Sequence, residues 1–272
     1  MKNKKEFSKA HLLYLKKERN SIILIHVFRI SLLLLLLGLW ELVTYMQWVD
    51  PFILSSPSRI WKMLVSLASD GSLFMHIGVT LYETLLGFVI AVICGTLFAL
   101  LLWWSEKLRN ILEPYIVVLN SLPKIALGPI IIMWLGTGFK SILFMTVIVA
   151  IIVVIMNMLN GFLQTDKNKI LLLQAMGAKK LQILIKLVIP SARETFISTL
   201  KVSVGMAWIG SIMGEYISSK AGLGYLIVYG GQVLKLDLVM TATVILCLLA
   251  GIMYGIVAIF EKFISKNNNT AK

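Results

Sequence analysis

Cysteine is almost missing from this chain: Cys94 and Cys247 are the only two, each inside a long apolar run and far from the other. With no CxxC spacing and no Cys/His cluster, neither a metal site nor a disulfide framework organises the protein. The two thiols read as small core hydrophobes. His11, His26 and His76 are scattered and form no ligand pair. Charge is scarce too. Only 14% of residues are Asp, Glu, Lys or Arg, against roughly 25% in soluble domains. The acidic residues never gather at a spacing that acid–base catalysis needs, and no Ser/His/Asp or Cys/His arrangement exists. The phosphate-cradling GxxxxGK loop is absent: Gly136-Thr-Gly-Phe-Lys-Ser141 holds the residue types at the wrong spacing. An enzyme reading is therefore weak, no metal or cofactor is expected on the chain, and it is not expected to hydrolyse ATP. Strands of about ten alternating residues, which a membrane β-barrel requires, are also missing.

What the chain has is apolar length. Hydrophobic residues make up 58% of it, above the roughly 45–50% of soluble proteins. They fall into six runs: Ile22–Tyr45, Ile77–Trp104, Ile111–Leu135, Phe139–Leu159, Phe196–Ser218 and Leu238–Phe260. Each is close to the roughly 20 residues that cross a bilayer as a helix, and a helix satisfies its own backbone polar groups in lipid. The expected fold is all-α, a polytopic membrane protein of six transmembrane helices. A membrane domain over 22–263 lies between a basic tail, 1–21, and a short tail, 264–272. The N-terminus has the basic-then-apolar order of a cleaved leader. Its basic segment is long, its apolar run can span and no A-x-A site follows, so it reads as a retained first helix.

The formal charge of +13 follows from topology. Eighteen Lys and Arg residues fall in the two tails and in the second and fourth connections, against five in the other connections. Positive residues stay inside, so both termini are expected in the cytoplasm. Cations spread over several connections, with no basic stripe, argue against a nucleic-acid site.

Two connections are long. Met46–His76 is expected outside and carries an amphipathic stretch, Ser58–Ser69, with Ser58 as its candidate N-cap. The fourth connection, 160–195, is cytoplasmic. Its pattern predicts a helix ending near Met176, a break at Gly177, and a second helix from Lys179 to Ile189 before Pro190. Leu171, Leu172, Leu173, Met176, Leu181 and Ile185 would stay exposed among cations. That is what docking into a partner's groove needs, and also what lying on a membrane surface needs; the residues leave both open.

Here the sequence resembles a known family. Gly177-Ala178, followed by Ile189-Pro190, is similar to the cytoplasmic "EAA" loop of binding-protein-dependent ABC importer permeases. Ile53-Leu-Ser-Ser-Pro-Ser-Arg-Ile-Trp61, Ser121-Leu-Pro-Lys-Ile-Ala-Leu-Gly-Pro129, Met133-Trp-Leu-Gly136, Gly214-Glu-Tyr-Ile and Gly222-Leu-Gly-Tyr-Leu-Ile227 resemble its nitrate/sulfonate/taurine branch, in order along the chain. The resemblance implies a permease subunit in the bacterial cytoplasmic membrane. It implies a second copy of the chain, two ABC ATPase subunits that use the ATP, and an extracytoplasmic substrate-binding protein. The substrate would be a small anion such as a sulfonate, taurine or nitrate, with a vitamin precursor as the alternative. ATPase coupling would fall on Leu171, Leu172, Ala175, Met176, Gly177, Ala178, Leu181 and Pro190. One departure stands out: the family's Glu-Ala-Ala triplet falls on Leu171-Leu172-Leu173, so the carboxylate is absent.

Several intramembrane residues are candidates for the translocation path: Glu83, Lys124, Met206, Trp208, Ser211 and Glu215. An ionisable residue inside a span is costly and raises a functional hypothesis. The bland readings are a hydrated Glu83 near the external interface, Glu215 paired with Lys220, and a snorkelling Lys124. Gly210-x-x-x-Gly214 and Gly251-x-x-x-Gly255 permit close helix approach, within the chain or between copies. A self-contained secondary transporter or channel is the rival class; it would need a two-half repeat or a polar filter, and neither is visible.

Overall fold

Long runs rich in Leu, Ile and Val leave the backbone one way to satisfy itself in lipid, and the chain takes it. A computed structural model describes residues 9–268; it is helical almost throughout, with no strand among the described residues. Residues 1–8 and 269–272, the outer parts of the two expected tails, lie outside the described residues. The inner parts are helical, continuous with the first and last spans.

The chain divides into two compact units, residues 1–63 and 64–272. In the first, α1 (Lys9–Tyr45) carries the first apolar run, and α2 (Pro51–Leu54) follows. Asp50 accepts the Phe52 amide at 2.8 Å and starts that turn. α3 (Pro57–Ser69) begins in this unit and runs into the next. Its cap is Ser56, whose Oγ accepts the Arg59 amide at 3.4 Å, and not Ser58. Ser58 lies inside the helix and gives its amide and hydroxyl to the Glu41 carboxylate at 3.0 and 2.7 Å.

The second unit holds α4 (Ser72–Trp104), α5 (Glu106–Ser121), α6 (Gly128–Leu135), α7 (Phe139–Leu163), α8 (Lys167–Ala175), α9 (Lys180–Ile183), α10 (Ile189–Ser191), α11 (Arg193–Ser218), α12 (Leu223–Gln232) and α13 (Leu236–Asn268). Asp70 precedes α4 and accepts the Ser72 hydroxyl and amide at 2.6 and 2.9 Å. Those bonds, the hydroxyl first, hold its carboxyl below the usual carboxylate range. Residues 23–45 of α1, then α4, α7, α11 and residues 236–262 of α13, are each long and apolar enough to span. The third apolar run is not one helix. It starts earlier than expected, with Ser105 Oγ capping α5 through the Leu108 amide at 3.2 Å, and it breaks at Leu122–Pro123 with an 89° bend. Pro123 has no amide hydrogen and holds Leu122 extended, at ψ 139°, which ends α5. A short 3₁₀ turn, Lys124–Leu127, then leads into α6, where Pro129 suits the first helical turn.

α7 is the most enclosed span, with α4 and α11 packed along it. Gly210 and Gly214 bring α11 onto the α7 backbone: a Cβ at Gly210 would lie 2.6 Å from Thr146 Cα, and one at Gly214 would lie 2.9 Å from Ile142 Cα. Thr84 Oγ1 and Ser211 Oγ, 2.7 Å apart, tie α4 to α11. Lys201 of α11 bonds Glu261 of α13 at 2.5 Å. The Gly210-x-x-x-Gly214 motif is therefore used within the chain, whereas Gly251 and Gly255 have nothing within 4 Å of their Cβ positions. Replacing Gly210 with leucine should lower the thermal unfolding midpoint in detergent, since overpacking against backbone costs about 1–3 kcal/mol. Gly251→Leu should leave the midpoint of the isolated chain unchanged.

Candidate functional site

Two places concentrate polar design, one at each end of the bundle. The first is the segment joining α7 to α11. Asp166 caps α8 by accepting the Asn168 amide at 2.8 Å. α8 ends in a Schellman closure: the Ala178 amide donates to the Leu173 carbonyl and the Gly177 amide to the Gln174 carbonyl, both at 2.9 Å. Gly177 sits at φ +81°, the left-handed region the closure requires. Gln182 Oε1 then accepts the Lys179 amide at 2.7 Å and starts α9. The helix widens into a π turn over Leu184–Val188, which lets the chain pass Pro190 and meet α11 after a kink at Ala192. Pro190 thus lies inside the last helical turn before α11, where the sequence pattern suggested a stop.

The side chains of this segment divide sharply. Ile170, Leu173, Ala178, Ile183, Leu184 and Val188 pack inward on a core that includes Leu102, Met158 and Phe162. Leu171, Leu172, Met176, Leu181, Ile185 and Ile189 point outward, Leu171 60% and Met176 74% exposed. Ala175 and Gly177 are exposed between them. Of the three leucines that replace the family's triplet, only Leu173 turns inward. Lys180 pins the segment to the end of α4: its Nζ donates to the Trp104 carbonyl at 2.5 Å and lies over the Trp103 and Trp104 rings at 5.7 and 5.3 Å. The result is an apolar platform on a rigid base.

The second place is where α11 ends and α12 begins. Glu215 is 1% exposed, and its Oε2 accepts the Gly224 amide at 2.6 Å and the Tyr225 amide at 3.4 Å, capping α12 from another helix. His76 Nδ1 accepts the Gly222 amide at 2.9 Å, and Thr80 Oγ1 the Leu223 amide at 2.8 Å, both from α4. Four consecutive amides thus find acceptors on two spans. Gly222, at φ +113°, must be glycine on two counts, because a Cβ there would stand 2.2 Å from Glu215 Oε2. Glu83 lies beside Glu215 and is 3% exposed. Glu83 is therefore enclosed by protein, not hydrated at an interface, and Glu215 serves backbone amides while Lys220 stays exposed.

The other candidates scatter. Ser211 and Trp208 are buried inside the single chain, Ser211 on Thr84. Met206 is half-buried. Lys124 stands at the break in the third span, its Nζ on the Asn120 carbonyl at 3.0 Å, where a cation suits a helix C-terminus. Sequence reasoning missed His76, Thr80, Trp103 and Trp104. Their partners lie 76 to 146 residues away, and no local pattern marks such a pairing. Among the described residues no group of three His, Cys, Asp or Glu side chains could hold a metal ion.

Residues 87–266 match the family model described as "Binding-protein-dependent transport system inner membrane component". The chain is 31% identical over 192 residues to the formylaminopyrimidine transport permease protein ThiX of Halalkalibacterium halodurans, covering 71% of this chain and 76% of that protein. It is 30% identical to a probable ABC transporter permease protein of Haemophilus influenzae, covering 80% of this chain and 89% of that one. It is 26% identical to the taurine transport system permease protein TauC of Escherichia coli, covering 81% and 82%. Among solved structures, an inward-facing conformation of the MetNI methionine ABC transporter matches with a TM-score of 0.57 at 19% identity, over 73% of this chain and 96% of that one.

The α12 anchor predicts a non-additive pair. Glu215→Ala and Gly222→Ala should each destabilise the protein, since one removes the acceptor and the other collides with it. In the double variant the collision is gone, so the combined loss should fall short of the sum by about 0.5–3 kcal/mol in a double-mutant cycle read by thermal unfolding.

Proposed function

The chain belongs to the family of binding-protein-dependent transport system inner membrane components, and on that premise we propose that two copies enclose a substrate pore and couple it to separate ATPase subunits through the α8–α9 platform. The observation that carries this reading is the division of side chains in that segment. One face is committed to the chain's own core, while six large apolar groups stand outward on a base held by Lys180 and the Gly177 closure. Apolar surface of that kind is suited to a partner's groove. ATP is used by the partner, and an extracytoplasmic binding protein delivers the solute. The Lys and Arg asymmetry supports cytoplasmic termini, with the platform on the cytoplasmic side. ATP-driven closure of the ATPases shifts the platform and biases a two-state pore.

On the translocation path, Lys124 and Met206 are the expected candidates with surface to offer a pore. Glu83, Trp208, Ser211 and Glu215 act from inside the copy, holding the helices and the α12 anchor that shape it. The first reading of the substrate is a small anion, in line with the taurine relative and with permeases named for aliphatic sulfonates. A second reading is favoured by the 31% identity to a formylaminopyrimidine permease: a vitamin-type precursor carried by the same machinery.

Copurification from native membranes tests the assembly. An ATPase subunit and a binding protein should be retained with the chain; a lone copy that transports without ATP overturns the proposal. Within the assembly, docking rests on apolar burial in place of the family's carboxylate. Leu171→Glu should therefore weaken retention of the ATPase subunit at least about tenfold, which is about 1.4 kcal/mol. Unchanged or improved retention counts against it.

A further inference from the structure

The two stems of the α8–α9 platform are the end of α7 and the start of α11, and between them lies a cleft of about 550 Å³. Its lining is mostly polar. Asn157 and Asn160 of α7, and Gln164 just after it, stand at positions i, i+3 and i+7. α11 contributes Glu194, Thr195, Ser198, Thr199 and the apolar Val202. Thr199 spends its hydroxyl on the Thr195 carbonyl at 2.7 Å. Asn160, Gln164, Glu194 and Ser198 are exposed in the single copy, and Asn157 is half-buried. Asn157, Ser198 and Thr199 stand on spans that are otherwise largely apolar, where polar groups are kept from lipid. They suit a water-filled passage. The charge of the lining is one carboxylate and no Lys or Arg.

We propose that this cleft is a subsite on the solute's path, built for an uncharged or cationic solute rich in amide, amino or ring-nitrogen groups and set against a sulfonate or other anion. The inference rests on the permease reading and sharpens it by choosing between its two substrate classes. Carboxamides offer both donors and acceptors, which match a heterocycle's alternating edge. A lone carboxylate in the cleft repels an anion and draws a cation. The location adds a gating consequence. Gln164 directly follows α7, three residues before α8 begins at Lys167, and Glu194 directly follows the first residue of α11. A displacement of the platform therefore pulls on the ends of both cleft walls.

The test reads the cleft's charge directly. Cys94 and Cys247 are exposed, so both are replaced by serine in the complete permease–ATPase–binding-protein complex in proteoliposomes. Ser198→Cys is then labelled with a cationic and an anionic methanethiosulfonate, with and without Glu194→Gln. The cation-to-anion rate ratio at 198 should be about tenfold higher when Glu194 is present than in the Glu194→Gln variant, the size expected of one nearby carboxylate at intermediate dielectric. A neutral aminopyrimidine should slow labelling at 198, and ethanesulfonate should not. Equal ratios, protection by ethanesulfonate, or a 198–198 disulfide between copies in place of labelling would each overturn the inference, the last by showing that a second copy fills the cleft. The permease reading is judged separately, by ATP-driven uptake in the same vesicles: uptake with an unselective cleft sinks this inference alone, and no uptake of any solute sinks the reading beneath it.

Discussion

α7 and α11 touch backbone to backbone. Nothing wider than a hydrogen fits at Gly210 and Gly214, and in lipid that closeness is what holds helices together, because hydrocarbon gives no hydrophobic advantage to apolar contact between them. Dispersion needs short distances, and the small residues supply them. The rest of the second unit depends on this seam. The platform is strung between the two helices that form it. The α12 anchor hangs from the end of α11 and from α4, which hydrogen-bonds α11 through Thr84 and Ser211.

The platform and the anchor solve opposite problems. The platform keeps large apolar side chains out of its own core, and it can do so only because its inner row is buried on Leu102, Met158 and Phe162 and its turn is closed without strain at Gly177. The anchor buries two carboxyl groups, Glu83 and Glu215. A buried carboxylate is tolerable where donors meet it, and the amides of Gly224 and Tyr225 do so for Glu215. One is a surface offered outward; the other is an acceptor consumed in holding a helix.

Much of this was legible in the residues, and the exceptions have physical causes. Length and apolar content exposed the spans because lipid imposes both. The break in the third span was visible only as three prolines. Pro114 is carried inside α5, Pro129 starts α6, and Pro123 alone stops a helix, since only there does the preceding residue turn extended. The platform's two helices and the Gly177 turn were legible from spacing, but which of Leu171, Leu172 and Leu173 faces inward depends on the core beneath. The role of Glu215 was hidden because its partners are backbone amides, which carry no residue identity. Ser56 displaced Ser58 as the α3 cap because Glu41, seventeen residues away from Ser58, claims the latter's hydroxyl and amide.

The broken third span has a consequence for how the protein is made. At Leu122–Pro123 the helical ladder is interrupted with exposed side chains around it, and α6 is eight residues long, about 12 Å at the usual rise and too short to cross alone. Irregular backbone at membrane depth persists only where protein or a water-filled space covers it. Insertion of this stretch is therefore complete only once water or another protein surface covers the break.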